Sequence, residues 1–150
     1  MTELITAQHV DLDLKAGDRA DATRHLAELL VAAGRVTNLD GFLADVRARE
    51  QQMPTGLEGG IAIPHCRSAH VTVPTLGFGR SAEGVDYGAP DGPAHLVFLI
   101  AAPEGGGAEH MTVLAKLARK LVHQSFKDSL STAADPQAVV DLINTEVLGQ

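Results

Sequence analysis

Apolar positions along the chain recur at two different periods, and the changes between them divide it into alternating helices and strands. Over residues 5–14 apolar and polar positions alternate weakly, which predicts a first strand. Over residues 18–33 the period is helical. Ala22, Leu26, Leu29, Leu30 and Ala33 share one face, and Gly34 follows as a stop. A second helix starts at Asn38 or Asp40, either of which supplies a capping oxygen. Its inward face carries Phe42, Val46, Arg49 and Met53. Gly56, Gly59 and Gly60 predict a loop leading into a short strand at 61–63, and a further strand fits residues 75–80. Residues 96–101 are uninterrupted and rich in branched side chains, as in a strand covered on both faces, and Pro103 ends the run. A third helix spans 109–123, with His110, Leu114, Leu117 and Leu121 on one stripe. Asp135-Pro136 places a cap and a first-turn proline before a last helix, whose apolar face is Val139, Val140, Ile143 and Val147. Interleaved helices and strands with no visible linker predict an α/β chain, one layered domain over residues 1–150.

Composition narrows the partners. The chain has 150 residues, of which 45% are hydrophobic and only 3% aromatic, with no Trp, so its core must be aliphatic. The net charge is −7 with no basic run, which speaks against nucleic acid. Cys66 is the sole cysteine, so no internal disulfide forms, which fits a reducing cytoplasm. The first residues have no basic segment leading into an apolar one, so no signal peptide is expected. No apolar run approaches the ~20 residues of a membrane span, so no membrane insertion is expected.

The chemistry concentrates at Gly60-Ile61-Ala62-Ile63-Pro64-His65, where a short apolar strand runs into a proline and then a histidine. Proline fixes its own φ and has no N–H to give to a ladder, so His65 falls at a strand end with its backbone held. A neutral imidazole at that place is what phosphoryl carriage through nitrogen requires. Arg49 follows Phe42 by seven and Val46 by three and so shares their inward face, which Arg47 and Glu50 do not. Two readings of Arg49 stand. Its stem packs and its head sits at the core margin, which the spacing alone favours, or its planar fork is aimed at an anion. His110 lies in the first turn of its helix. It either satisfies that helix start or donates to phosphoryl oxygens beside the positive helix terminus. Gly105, Gly106 and Gly107 precede it and let backbone approach a ligand, but no Gly-Lys-Ser/Thr follows, so this is no Walker loop. His65, Cys66 and His110 match no zinc spacing, and neighbours on a strand diverge, so no metal is expected. No Gly-x-Ser-x-Gly elbow exists for serine hydrolase chemistry. His9, His25, His70, His95 and His123 have no chemical partner in the pattern and are read as structural.

These residues carry a resemblance. Arg49-Glu50, Pro54-Thr55-Gly56, Gly60 through His65, Val73-Pro74 and Leu76-Gly77-Phe78, followed by Val97 through Pro103 and His110 through Ala118, are similar to the enzyme IIA domains of the fructose/mannitol class of the phosphoenolpyruvate-dependent sugar phosphotransferase system. Nitrogen-regulatory enzyme IIA proteins share the fold and the motifs. The likeness runs from about residue 5 to 143. It implies a mixed, mostly buried β-sheet flanked by helices. It implies that His65 accepts a phosphoryl group from the histidine phosphocarrier protein and passes it to a IIB component of a IIB/IIC permease for sugar uptake. Under the regulatory alternative, phosphorylation instead controls binding to another protein. Arg49 matches the family's phosphate-binding arginine, His110 its second active-site histidine, and Thr55 a threonine that supports the phosphate site. Cys66 stands where glycine is usual, which is expected to tighten that turn, and Gly105–Gly107 is a looser lead into His110 than in many relatives. Transfer between histidines requires positioning and charge stabilisation on the equatorial oxygens, and no metal or cofactor.

Overall fold

The computed structural model describes residues 3–105 and 109–149, with the main chain alone for Glu109 and His110. The chain enters through one turn of 3-10 helix, Ala7–His9, and a two-residue strand β1, Val10–Asp11. The long first strand expected over 5–14 therefore does not form. Its alternation comes from Ile5, Val10 and Leu14, buried residues of which only Val10 lies in a strand. Helix α1, Arg19–Ala32, starts at Asp18, whose side chain accepts from Asp21 N. Helix α2, Leu39–Gln52, takes Asn38 as its cap through Gly41 N, so Asn38 and not Asp40 starts it. Met53 lies beyond α2 in extended backbone and is 64% exposed, so it does not join the inward face predicted for it.

Strands β2 (Gly56–Leu57) and β3 (Ile61–Ala62) form a hairpin whose turn requires positive φ at Gly59 and Gly60, 93° and 78°. After them come β4, His65–Ser68, β5, Thr75–Val85, and β6, Ala94–Pro103. Helix α3 spans Glu109–Lys120. The single helix expected over 109–123 breaks there, and a second one, α4, Gln124–Thr132, follows. Sequence reasoning did not anticipate α4. It ends without a glycine because Arg80 Nη1 donates to the carbonyls of Leu130, Ser131 and Ala133 at 3.0–3.1 Å. Helix α5, Pro136–Leu142, starts on the anticipated Asp135-Pro136 signal, with Asp135 accepting from Ala138 N, and runs on as one wide π turn, Ile143–Val147.

The sheet is mixed, in the order β1-β5-β6-β3-β2, with β4 also pairing β6 beyond the end of β3. β5 and β6 are antiparallel, while β1 runs parallel to β5 and both β3 and β4 run parallel to β6. Alternation along β6 divides the core. Leu96, Phe98 and Ile100 join Leu117, Phe126, Leu130 and Val139 under α3, α4 and α5. Val97, Leu99 and Ala101 join Leu26, Leu30, Phe42 and Val46 under α1 and α2. The continuous apolar run in the sequence is thus a strand covered on both faces, as expected. No helix among the described residues is long and apolar enough to cross a membrane.

Candidate functional site

Pro64 breaks the strand beside β6 without ending it. β3 pairs Ala62 with Val97, two residues pass, and pairing resumes with His65 opposite Ile100. The Pro64 carbonyl still accepts from Ile100 N at 3.0 Å. The sequence places His65 at the end of a strand, and the structure places it at the start of the next. Cys66 also lies in that strand and not in a turn. It is buried in the α1–α2 core, so alternation sends His65 to the α3 face, where it is half-buried. His65 and Cys66 diverge, as adjacency on a strand requires. Burial, and after it the charge of Asp45, push the Cys66 thiol up to about 12, so it stays protonated.

Among the described residues one bond orients the His65 ring: Nδ1 lies 2.8 Å from the carbonyl oxygen of Ile63. A carbonyl can only accept, so Nδ1 carries the proton and Nε2 of the neutral ring keeps its lone pair. The same Ile63 is held from its other side, because Ile63 N donates to the carbonyl of Thr55 at 3.1 Å.

Thr55 is 6% exposed, and its polar groups are engaged. Thr55 Oγ1 donates to Glu50 Oε1 at 2.6 Å and Thr55 N donates to Glu50 Oε2 at 2.9 Å. Arg19 Nη1 donates to the same Oε2 at 3.3 Å. Thr55 therefore reaches His65 through the backbone, and its hydroxyl is turned to Glu50. Sequence reasoning set Glu50 aside because it lies off the face of Phe42 and Val46. That angle is what lets it meet Arg19 and Thr55, and the only available signal was its place beside Arg49 in the motif.

Arg49 occupies the last turn of α2, which packs on β4 from the α1–α2 side. It is half-buried, and it makes no hydrogen bond or ion pair with any described residue, His65 included. β4 pairs only with β6 among the described strands, and α2, which carries Arg49, packs on it. Arg67, two residues beyond His65, projects to the same side of β4 as His65 and is exposed. His110 is the second residue of α3, which follows β6 after a short connection and lies on the His65 side of the sheet. Its side chain, with Gly106 and Gly107, lies outside the described residues.

A separate cleft of about 530 Å³ opens between α1 and α2, lined by Arg19, Arg24, Arg47, Glu50 and Tyr87 among others. His65, Arg49 and Thr55 are not among its lining residues. Two of the remaining histidines hold backbone carbonyls. His9 is fully buried with Nδ1 3.2 Å from the Leu76 carbonyl, and His95 Nδ1 lies 2.9 Å from that of Ser81.

Residues 3–146 match the family model described as phosphoenolpyruvate-dependent sugar phosphotransferase system, EIIA 2. The chain is 38% identical to the PTS system fructose-specific EIIA component of Haloferax volcanii, over 89% of this chain and 88% of that protein. It is 37% identical to the PTS system fructose-specific EIIABC component of Bacillus subtilis over 96% of its length, and it spans 23% of that longer protein. It spans 17% of the multiphosphoryl transfer protein of Shigella flexneri, to which it is 31% identical over 96% of this chain. Among solved structures, nitrogen regulatory protein IIA-Ntr from Neisseria meningitidis superposes with a TM-score of 0.85 at 33% identity, covering 93% of this chain and 96% of that one. Enzyme IIA-mannitol of Escherichia coli, in complex with phosphorylated enzyme IIB-mannitol, superposes with a TM-score of 0.78 at 27% identity, covering 97% and 98%.

Proposed function

Because the chain belongs to the EIIA 2 family of the phosphoenolpyruvate-dependent sugar phosphotransferase system, we propose that it carries a phosphoryl group on Nε2 of His65. The donor is a histidine phosphocarrier protein, the acceptor a IIB component of a fructose-type permease, and the compartment the cytoplasm. The observation that carries this reading is the 2.8 Å bond between His65 Nδ1 and the Ile63 carbonyl. It leaves Nε2 as the nucleophile and gives the ring a fixed direction.

In the forward step the Nε2 lone pair forms a bond to phosphorus while the donor's phosphorus–nitrogen bond breaks and the donor ring keeps that electron pair. Positive charge develops on the His65 ring as the new bond forms, and the Nδ1–H bond to the Ile63 carbonyl strengthens with it. Negative charge spreads over the three equatorial oxygens. Arg49, on the helix packed against the strand of His65, has no described partner, and His110 stands at the start of α3, where free amides also point outward. These two stabilise the transferring group. The second step repeats the first with a nucleophile of the IIB component.

The test is incubation with phosphoenolpyruvate, enzyme I and the phosphocarrier protein. One acid-labile, base-stable phosphate should appear, and His65→Ala should abolish it. Label persisting in that variant overturns the assignment. The likeness to IIA-Ntr supports a second reading, in which the same phosphohistidine controls binding to a regulatory target. Onward transfer to a fructose-type IIB domain separates the two.

A further inference from the structure

We infer that Glu50 is a positioning residue for His65, acting through Thr55 and Ile63. The inference rests on the proposed phosphoryl carriage at His65. The path is continuous in hydrogen bonds. The Glu50 carboxylate takes both the N–H and the hydroxyl of Thr55, at 2.9 and 2.6 Å. The Thr55 carbonyl takes Ile63 N–H at 3.1 Å. The Ile63 carbonyl takes His65 Nδ1–H at 2.8 Å.

Each link constrains the next. Thr55 follows the end of α2 and Pro54 and lies opposite Ile63 in continuation of the β2–β3 register, just outside the two strands. Two charge-assisted bonds to one carboxylate hold it from the other side, on its N–H and hydroxyl, as a fork does. That orientation aims the Thr55 carbonyl at Ile63. Ile63 sits in the gap between β3 and β4, outside both ladders, and Pro64 beside it has no N–H. The Thr55 bond is thus the anchor that turns the Ile63 carbonyl toward the imidazole. Glu50 is itself held. Its side chain is only 11% exposed, and Arg19 on α1 closes its outer side at 3.3 Å while resting 6.0 Å over the Tyr87 ring. The carboxylate therefore stays where Thr55 requires it.

The function of the chain of bonds is to hold one tautomer. A ring free to carry its proton on either nitrogen would present a blocked Nε2 for part of the time, and a swinging ring would lose alignment with phosphorus.

The experiment follows nitrogen-15 shifts of the His65 ring together with single-turnover phosphoryl transfer from the phosphocarrier protein. Wild type should show the Nδ1–H tautomer. In Glu50→Ala the His65 signals should move toward mixed tautomers and transfer should slow by about tenfold to a hundredfold. Glu50→Gln can still meet both Thr55 groups, its oxygen accepting from the N–H and its amide donating to the hydroxyl. It should recover part of both readouts. Thr55→Val gives a version of the test without loss of the carboxylate. Its defect should combine with that of Glu50→Gln less than additively. Slowed transfer with unmoved His65 signals in either variant would overturn the inference, as would wild-type transfer in Glu50→Ala. If wild type itself takes no phosphate on His65, the function fails and not the relay, whose tautomer readout stands apart from transfer.

Discussion

Ser68 Oγ donates a 2.6 Å hydrogen bond to Asp45 Oδ2, and that bond joins α2 to β4 one helical turn before Arg49. Ser68 is fully buried and also accepts from His70 N at 3.2 Å. Removing its hydroxyl leaves a carboxylate oxygen and a backbone N–H short of a partner. Ser68→Ala should cost about 1–3 kcal/mol of stability in urea unfolding, the usual penalty for such groups. Transfer should slow as well, because the helix that carries Arg49 loses its fix on the strand that carries His65. Stability falling without any change in transfer would show that the bond serves the fold alone.

Arg49→Lys separates the two readings of that position. Arg49 has no described partner, so the substitution should leave the urea midpoint within about 0.5 kcal/mol of wild type. The lysine keeps the charge and much of the stem but loses the planar fork. Transfer should slow by about tenfold to a hundredfold, less than the loss on deleting an oxyanion donor outright. A variant that loses stability yet transfers normally when folded would make Arg49 a packing residue.

The legible parts of this fold are those written in neighbouring residues. Asn38, one of the two caps the sequence offers, and Asp135-Pro136 cap the helices they precede, and the apolar run within β6 is a strand covered on both faces. The parts that were not legible depend on distant partners. α4 shows only Phe126 and Leu130 as buried apolar positions, and the group that closes its end comes from Arg80, some fifty residues earlier. β4 resumes a ladder after a proline because β6 supplies the partner, and no local signal says so. At the candidate site, His65 and Arg49 were singled out by motif and period. Glu50 was not, because a helical wheel ranks positions by the core they face and Glu50 faces Arg19, thirty-one residues away.

Arg80 gives a test of that long-range cap. Its Nη1 serves three carbonyls at the end of α4, and its Nε lies 3.4 Å from the Leu12 carbonyl. Arg80→Met keeps the stem and removes every donor. It should cost about 2–3 kcal/mol, since hydrogen bonds from a charged donor are at the strong end of the range and do not add fully. Amide exchange should rise in α4 before it rises in α1 or α2, and transfer per folded molecule should persist. Uniform loss of protection across the chain would mean that Arg80 supports the sheet and not the helix end.

The pH dependence of stability should report His9, which is fully buried beneath Leu76. Burial, and after it the charge of Arg35, lower its pKa to about 4, against a smaller upward pull from the Leu76 carbonyl. The folded state thus holds the neutral ring, while the unfolded chain takes up a proton near pH 6.5. Above about pH 6.5 neither state is protonated and the contribution to stability is complete. As pH falls from there, the unfolded state alone gains the proton, and stability drops until the folded ring also titrates near pH 4. The full difference is worth about 3 kcal/mol. Carboxylates titrate over part of the same window, so the measurement is a difference. Urea unfolding of wild type and His9→Leu is compared at pH 7 and pH 4.5. Wild type should lose more stability than the variant over that interval, by about 2–3 kcal/mol. Parallel losses would mean that His9 is protonated in the folded chain, with the Arg35 charge and the apolar cover failing to exclude it.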